Sequence, residues 1–314
     1  MRILVVGAGA IGGYFGGRLL QAGRDVTFLV RPRRAAQLAK TGLAIRSPVG
    51  DVTLPDPSIV MADAISAPYD LILLSSKAYD LAGAADSFAP ALGPGSAILP
   101  LLNGMAHLDY LKRRFGDDKV LGGQCVISVT LDDEGRVLHL LETHSLSFGE
   151  LNGTVSPRVE AIAKDFTGAK FEPKLSAAIL QEMWEKWVFI AATAAATCLM
   201  RATVGDIVAV NAVDLPQRLF DECAAIAAAH GFEPREASRI RSLTMLTTPG
   251  SKLAASMLRD IEHGAPIEAD HIVGDLLQRG ASAGKESPLL RVAYAHLKAY
   301  EQRRRRESAA PSAT

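Results

Sequence analysis

Three groups of residues have the types and spacing to do chemistry. The first is Gly7-Ala8-Gly9-Ala10-Ile11-Gly12, which directly follows the apolar run ILVV at 3–6. Glycines at this spacing are a weak signal alone. After a strand and before a helix they make a tight turn, let backbone approach a pyrophosphate and present a helix N-terminus to the anion. The second group is Val30-Arg31-Pro32-Arg33-Arg34 at the end of the next β-prone run. A turn that binds the ribose 2′-hydroxyl of NAD carries Asp or Glu here, whereas cations suit a 2′-phosphate. The expected cofactor is therefore NADP(H), with Arg31 as its contact, although the same arginines could simply solvate a helix start. The third group lies in QEMWEKWVFIAATAAATCLM at 181–200, where Lys186 is followed by no charge until Arg201. At about 100° per residue Glu182, Lys186, Thr193 and Thr197 share one helical stripe, with Ile190 its sole apolar member. Read by itself, Glu182–Lys186 is an i,i+4 pair on a solvated face, worth a few tenths of a kcal/mol.

Two more residues fall just past strand ends, where open α/β sheets bind ligands. Lys77 follows LILLSS, and Asn103-Gly104 follows SAILPLL. Each has an ordinary reading as well, a surface lysine and a plain Asn-Gly turn.

The elements needed to position these groups are legible as an α/β domain followed by helices. Strands are expected at 3–6, 25–30, 71–76 and 96–102, alternating with helices near 10–22, 33–41, 79–88 and 105–114. That order predicts a parallel, Rossmann-type sheet with crossover helices. From about 119 to 149, two β-prone runs flank Asp133-Glu134-Gly135 and predict an antiparallel hairpin appended to the sheet. The segment 170–178 reads as the passage to a second domain. This gives an NADP-binding domain at 1–174 and an all-helical substrate or dimerisation domain at 175–314, ending in a disordered tail from about 302. In the helical part, Asp214 can cap a helix that has Pro216 in its first turn and Gly231 at its end. A further helix is expected from Ser251 to His263, stopping at Gly264, and another from Pro266 to Ala283.

Composition narrows the function classes. The chain has 314 residues with 34 basic and 34 acidic side chains, so no global field favours nucleic acid or a membrane surface. The tail carries a cationic run, Arg303 to Arg306. Cys125, Cys198 and Cys223 are scattered, which fits a reducing compartment, and the N-terminus shows no secretory pattern. A cytoplasmic protein with a small-molecule partner is expected, with a second copy of the chain as a compatible partner. Its seven histidines form no metal-binding motif, and no GxSxG nucleophile occurs.

GAGAIG, SSKAYD around Lys77, LLNGMAH around Asn103, EMWEKW around Lys186 and SMLRDIEHGAPIEAD at 256–270 occur in that order. With these motifs the chain resembles the ketopantoate reductase family over about residues 1–300. The resemblance implies an NADPH-dependent 2-oxo acid reductase, for ketopantoate itself a step of pantothenate biosynthesis. It implies that Gly7, Ala8, Gly9, Ala10, Ile11, Gly12, Arg31 and Lys77 hold NADPH, and that Asn103 lies beside nicotinamide and substrate. Lys186 becomes the proton donor, Ser256 a substrate contact, and Glu268 a catalytic-site acid at the cofactor ribose. The chemistry agrees, because hydride arriving at a carbonyl carbon builds negative charge on its oxygen, which a cation stabilises and protonates. Glu268 also reads as a first-turn acid favouring a helix dipole, and Ser256 as a surface serine.

The chain departs from the family where asparagines contact the substrate. Ile190, Ala194 and Val204 stand in their places. A pocket for a hydroxylated oxo acid becomes partly apolar, with Ile190 at its border, so a substrate more apolar than ketopantoate is expected. Two other readings stay open. One is a related hydroxyacid dehydrogenase with a Rossmann and a helical domain. The other is a regulator that senses NADPH without turnover.

Overall fold

The computed structural model describes residues 1–309. By contact density the chain forms two compact units, Met1–Leu102 with His107–Leu180, and Asn103–Ala106 with Gln181–Thr314.

The first unit holds every strand among the described residues: β1 (Arg2–Val6), β2 (Asp25–Leu29), β3 (Leu43–Arg46), β4 (Val52–Leu54), β5 (Ile59–Val60), β6 (Tyr69–Leu74), β7 (Leu92–Pro100), β8 (Leu121–Leu131), β9 (Val137–Glu150) and β10 (Glu172–Leu175). One sheet has the order β5-β2-β1-β6-β7 and is parallel throughout. Its central strand β1 is buried from Ile3 to Val6, as a parallel strand covered on both faces must be. Helices α1 (Ala10–Gln21), α2 (Pro32–Thr41), α3 (Leu81–Phe88) and α4 (Ala106–Phe115) follow β1, β2, β6 and β7. The fold is the expected one, a Rossmann-type parallel sheet followed by a helical region.

The hairpin β8–β9 forms antiparallel as expected, but it is not appended to that sheet. It organises a second one, β10-β9-β3-β4 with β8 on β9. Here β9 recruits β3 through Ile45 beside Val137, and β10 through Ser147 beside Lys174. Helix α1 packs against both sheets. A Cβ on Gly16 would stand 2.7 Å from Phe28 and 2.8 Å from Val5, and one on Gly17 2.8 Å from Ile45. Every residue of α1 from Gly12 to Leu19 is therefore buried, where a single apolar stripe would have served one sheet. A further helix, α5 (Pro157–Phe166), lies between β9 and β10.

The second unit is helical: α6 (Ile179–Met200) leads into α7 (Val204–Ala209), α8 (Asp214–Ala229), α9 (Glu236–Thr247), α10 (Ser256–Glu262), a π-helix at Asp270–Gly274, α11 (Asp275–Ser282) and α12 (Pro288–Ala309). Three expectations are corrected. Residues 251–255 are not helical, because the carbonyls of Ser251 and Leu253 accept the first amides of α7, from Gly205 and Val204. Residues 266–268 stay outside the helix that Pro266 was expected to open. The tail is not disordered from 302. It continues α12 to Ala309, with Arg303 paired to Glu307 at 3.8 Å and Arg304 donating to the Gly264 carbonyl at 2.6 Å. The rest of that expected tail, 310–314, lies outside the described residues. Among the described residues no helix is long and apolar enough to cross a membrane.

Candidate active site

In the first unit the glycine turn has the shape a pyrophosphate needs. Gly7 has φ +91°, which an L side chain would strain. A Cβ on Gly12 would stand 2.1 Å from the Gly7 carbonyl and 2.3 Å from Ser75 Oγ, so the third glycine is a packing requirement. At Gly9, by contrast, no atom lies within 4 Å of where a Cβ would stand. No side chain among the described residues caps α1, whose N-terminal amides remain available to an anion. The turn itself is held by side chains. Ser75 Oγ donates to the Val6 carbonyl at 3.0 Å, and Arg34 Nε donates to the Ala8 carbonyl at 2.9 Å.

Arg31, at the N-terminus of α2, is exposed and pairs with Asp80 at 3.1 Å. An exposed pair of this kind contributes little and exchanges easily for a stronger anion. Arg34 is more enclosed. Its Nη1 donates to Gln37 at 2.5 Å, its Nη2 is buried with no partner among the described residues, and burial lowers its pKa. Lys77 is exposed just past β6, at the start of a short 3₁₀ turn, Ala78–Asp80. The open space above Gly9 and the uncapped helix fit the pyrophosphate of a dinucleotide. Ser75 was not singled out in the sequence, and Arg34 stood out only as one of the cations after the second strand, not as a support of the glycine turn. The signal available was that both lie in the same strand-end turns as Lys77 and Arg31.

The remaining candidates all belong to the second unit. Lys186 is half-buried on α6. Its neighbour Glu185 is buried and accepts from Arg235 Nε and Nη2, both at 2.7 Å, from the Arg235 amide at 2.9 Å and from Gln181 at 3.1 Å. Burial alone would raise the Glu185 carboxyl pKa, but these bonds outweigh it and hold the carboxyl below its usual range. On the other side of Lys186, Trp187 Nε1 donates to the Ile272 carbonyl at 2.9 Å, tying α6 to the π-helix.

The π-helix gathers two more candidates. Glu268 stands just before it, and the Glu268 carbonyl accepts from the Ile272 amide at 3.0 Å. His271 donates to the backbone carbonyl of Asn103 and lies within the field of Glu268. Asn103, Glu268 and the turn bearing Lys186 are thus joined to one short segment. Ser256 is placed elsewhere. Thr193 and Thr197 donate to carbonyls of their own helix, and Thr197 Oγ1 accepts from the Ala255 amide at 3.3 Å. That bond fixes the start of α10, where Ser256 is exposed, roughly three turns along α6 from Lys186. Of the three apolar replacements only Ile190 keeps surface, for Ala194 is 3% exposed and Val204 fully buried.

The family profile described as "Ketopantoate reductase PanE/ApbA" matches residues 3–153, and its C-terminal counterpart matches residues 178–301. The chain belongs to the ketopantoate reductase family. It is an oxidoreductase of this pyridine-nucleotide-dependent family. The uncharacterized oxidoreductase YkpB of Bacillus subtilis is 38% identical over 96% of this chain and 99% of its own. The crystal structure of 2-dehydropantoate 2-reductase from Methylococcus capsulatus superposes with a TM-score of 0.86 at 28% identity, covering 97% of this chain and 98% of that one. D-mandelate dehydrogenase, solved with NADH and anilino(oxo)acetate, shares the fold with a TM-score of 0.87 at 20% identity, over 97% of this chain and all of that one.

Proposed function

We propose that this ketopantoate reductase family member reduces a 2-oxo acid to the 2-hydroxy acid with NADPH, using Lys186 as proton donor. The observation that carries this reading is the convergence of Asn103, Glu268 and the Lys186 turn on the π-helix. NADPH, when bound, supplies the hydride that reduces the 2-carbon. Lys186 Nζ stabilises the negative charge growing on the carbonyl oxygen and releases a proton to it. Asn103 orients substrate and nicotinamide, and Glu268 holds the cofactor ribose. The glycine turn takes the pyrophosphate, with Lys77 and Arg31 supplying positive charge.

Arg31 is the basis for nucleotide choice. Its ion-pair partner among the described residues is the half-exposed Asp80, a contact that a 2′-phosphate can displace. Arg31→Asp is expected to weaken NADPH binding and narrow its advantage over NADH. Titrating both nucleotides into both proteins checks this, and equal affinity of the unaltered protein for the two would count against it.

Substrate choice rests on Ile190. It lies one helical turn from Lys186 and keeps surface, so it borders the position where the acid acts. An amide there could replace water on a substrate hydroxyl; isoleucine cannot, and favours an alkyl or aryl group at roughly 25 cal/mol per Å² buried. A panel of 2-oxo acids with NADPH is therefore expected to give a higher kcat/KM for an apolar side chain than for ketopantoate. Ile190→Asn should move the ratio back. A clear preference of the unaltered protein for ketopantoate would overturn the apolar assignment.

A further inference from the structure

We infer that His271 is a positioning residue for the reaction, acting through the Asn103-Gly104 turn. This inference rests on the reductase reading above. The geometry shows the turn held at close range. The His271 imidazole donates to the Asn103 carbonyl. Gly104, at φ +77°, lies so near that a Cβ would stand 2.8 Å from the His271 carbonyl oxygen and 3.0 Å from ring Cδ2. One residue thus touches the turn with both backbone and ring. An α-helical turn presents its carbonyls to its own chain; here the wider π turn, Asp270–Gly274, carries the residue that meets Asn103.

The next residue of the same turn makes the second link. The Ile272 carbonyl accepts from Trp187, which adjoins Lys186. The spacing between the Asn103 turn and the Lys186 turn is therefore set by residues 271 and 272. A misplacement of about 1 Å can cost roughly 10²-fold in rate. The charge state of His271 suits this role. Burial lowers its pKa, opposed by Glu268, Asp275 and the Asn103 carbonyl, with Arg279 adding to the lowering. A neutral imidazole keeps the N–H that the turn needs without adding a cation to the site.

The test is a set of His271 variants combined with Asn103→Ala. His271→Phe keeps a ring and removes the donor. His271→Asn and His271→Gln each bring an amide N–H near the place of one ring nitrogen. His271→Phe is expected to lower kcat/KM for the 2-oxo acid roughly 10- to 100-fold, and one of the two amide variants is expected to recover most of that loss. The double variant Asn103→Ala/His271→Phe should be within about two-fold of Asn103→Ala alone, since removing the side chain that is positioned leaves nothing for His271 to position. Parental kinetics in His271→Phe, or losses that multiply in the double variant, would overturn the inference. If His271→Phe does not fold, the amide pair decides, because equal behaviour of both is incompatible with one directed bond. Lys186→Ala is assayed alongside. If it keeps turnover while the Asn103–His271 cycle is coupled, the acid assignment fails and the positioning stands. If no 2-oxo acid is reduced, the cycle is read in NADPH affinity, where coupled losses support the inference and additive ones overturn it.

Discussion

Lys186→Ala is expected to bind NADPH within a few-fold of the parent and to turn over a 2-oxo acid roughly 10²–10⁴-fold more slowly, the usual range for a positioned acid. Several features make the effect specific to turnover. Lys186 is the last charge on α6 before Arg201, and the groups that fix its turn, Glu185 and Trp187, are untouched by the substitution. The nucleotide candidates Arg31, Lys77 and the glycine turn belong to the other unit. Steady-state kinetics together with a nucleotide titration separate the two quantities. Turnover within a few-fold of the parent would leave Lys186 as a partner of Glu182 and favour the non-catalytic, nucleotide-sensing reading.

The second large effect is on stability, and it is asymmetric. In the Glu185–Arg235 pair the carboxylate side chain is 6% exposed and the guanidinium 54%. Arg235→Met strands a buried charge and should cost roughly 3 kcal/mol, the lower end for breaking a buried pair. Glu185→Gln leaves an arginine that water can reach and should cost about 1 kcal/mol. The pH dependence follows from the depressed Glu185 pKa. In the parent the pair contributes stability above the unfolded-state carboxyl value, lost as pH falls through the lower folded value. In Arg235→Met burial raises the carboxyl instead, so the deficit against the parent should shrink on acidification. Thermal melts of the three proteins between neutral and mildly acidic pH measure both trends. Equal losses for the two variants at neutral pH would contradict the asymmetry.

What the sequence revealed tracks how local the physics is. The glycine turn, the strands around it and the β8–β9 hairpin each carry their signal in one continuous stretch of chain. The second sheet does not. Strands β3, β4 and β10 have only three or four residues, and β3 joins β9 through a partnership as remote as Ile45 with Val137. Residues 251–255 look helical until their carbonyls are claimed by the start of α7. The arginine run at the C-terminus looks like a solvated tail, although Arg304 finds Gly264 and continues a helix. Within the site, Lys186 stood out by charge and Asn103 by its position after a strand, while Glu268 entered through the family resemblance alone. His271 did not. It reads as one more residue of a helix, and only its neighbours in space give it a role.

The π-helix has a consequence for how this protein can change. A π turn holds one residue more than an α turn, so the helix from Asp270 to Ser282 stores an extra step of rotation in its first turns. Dropping one residue between Asp270 and Gly274 would let the helix close to its ordinary pitch and swing everything upstream by about 100°. Glu268 and His271 would leave their partners together, while α11 and α12 kept their place. Substitutions can thus drift through this stretch one side chain at a time. A change in its length cannot, and the segment should tolerate new residues far better than missing ones.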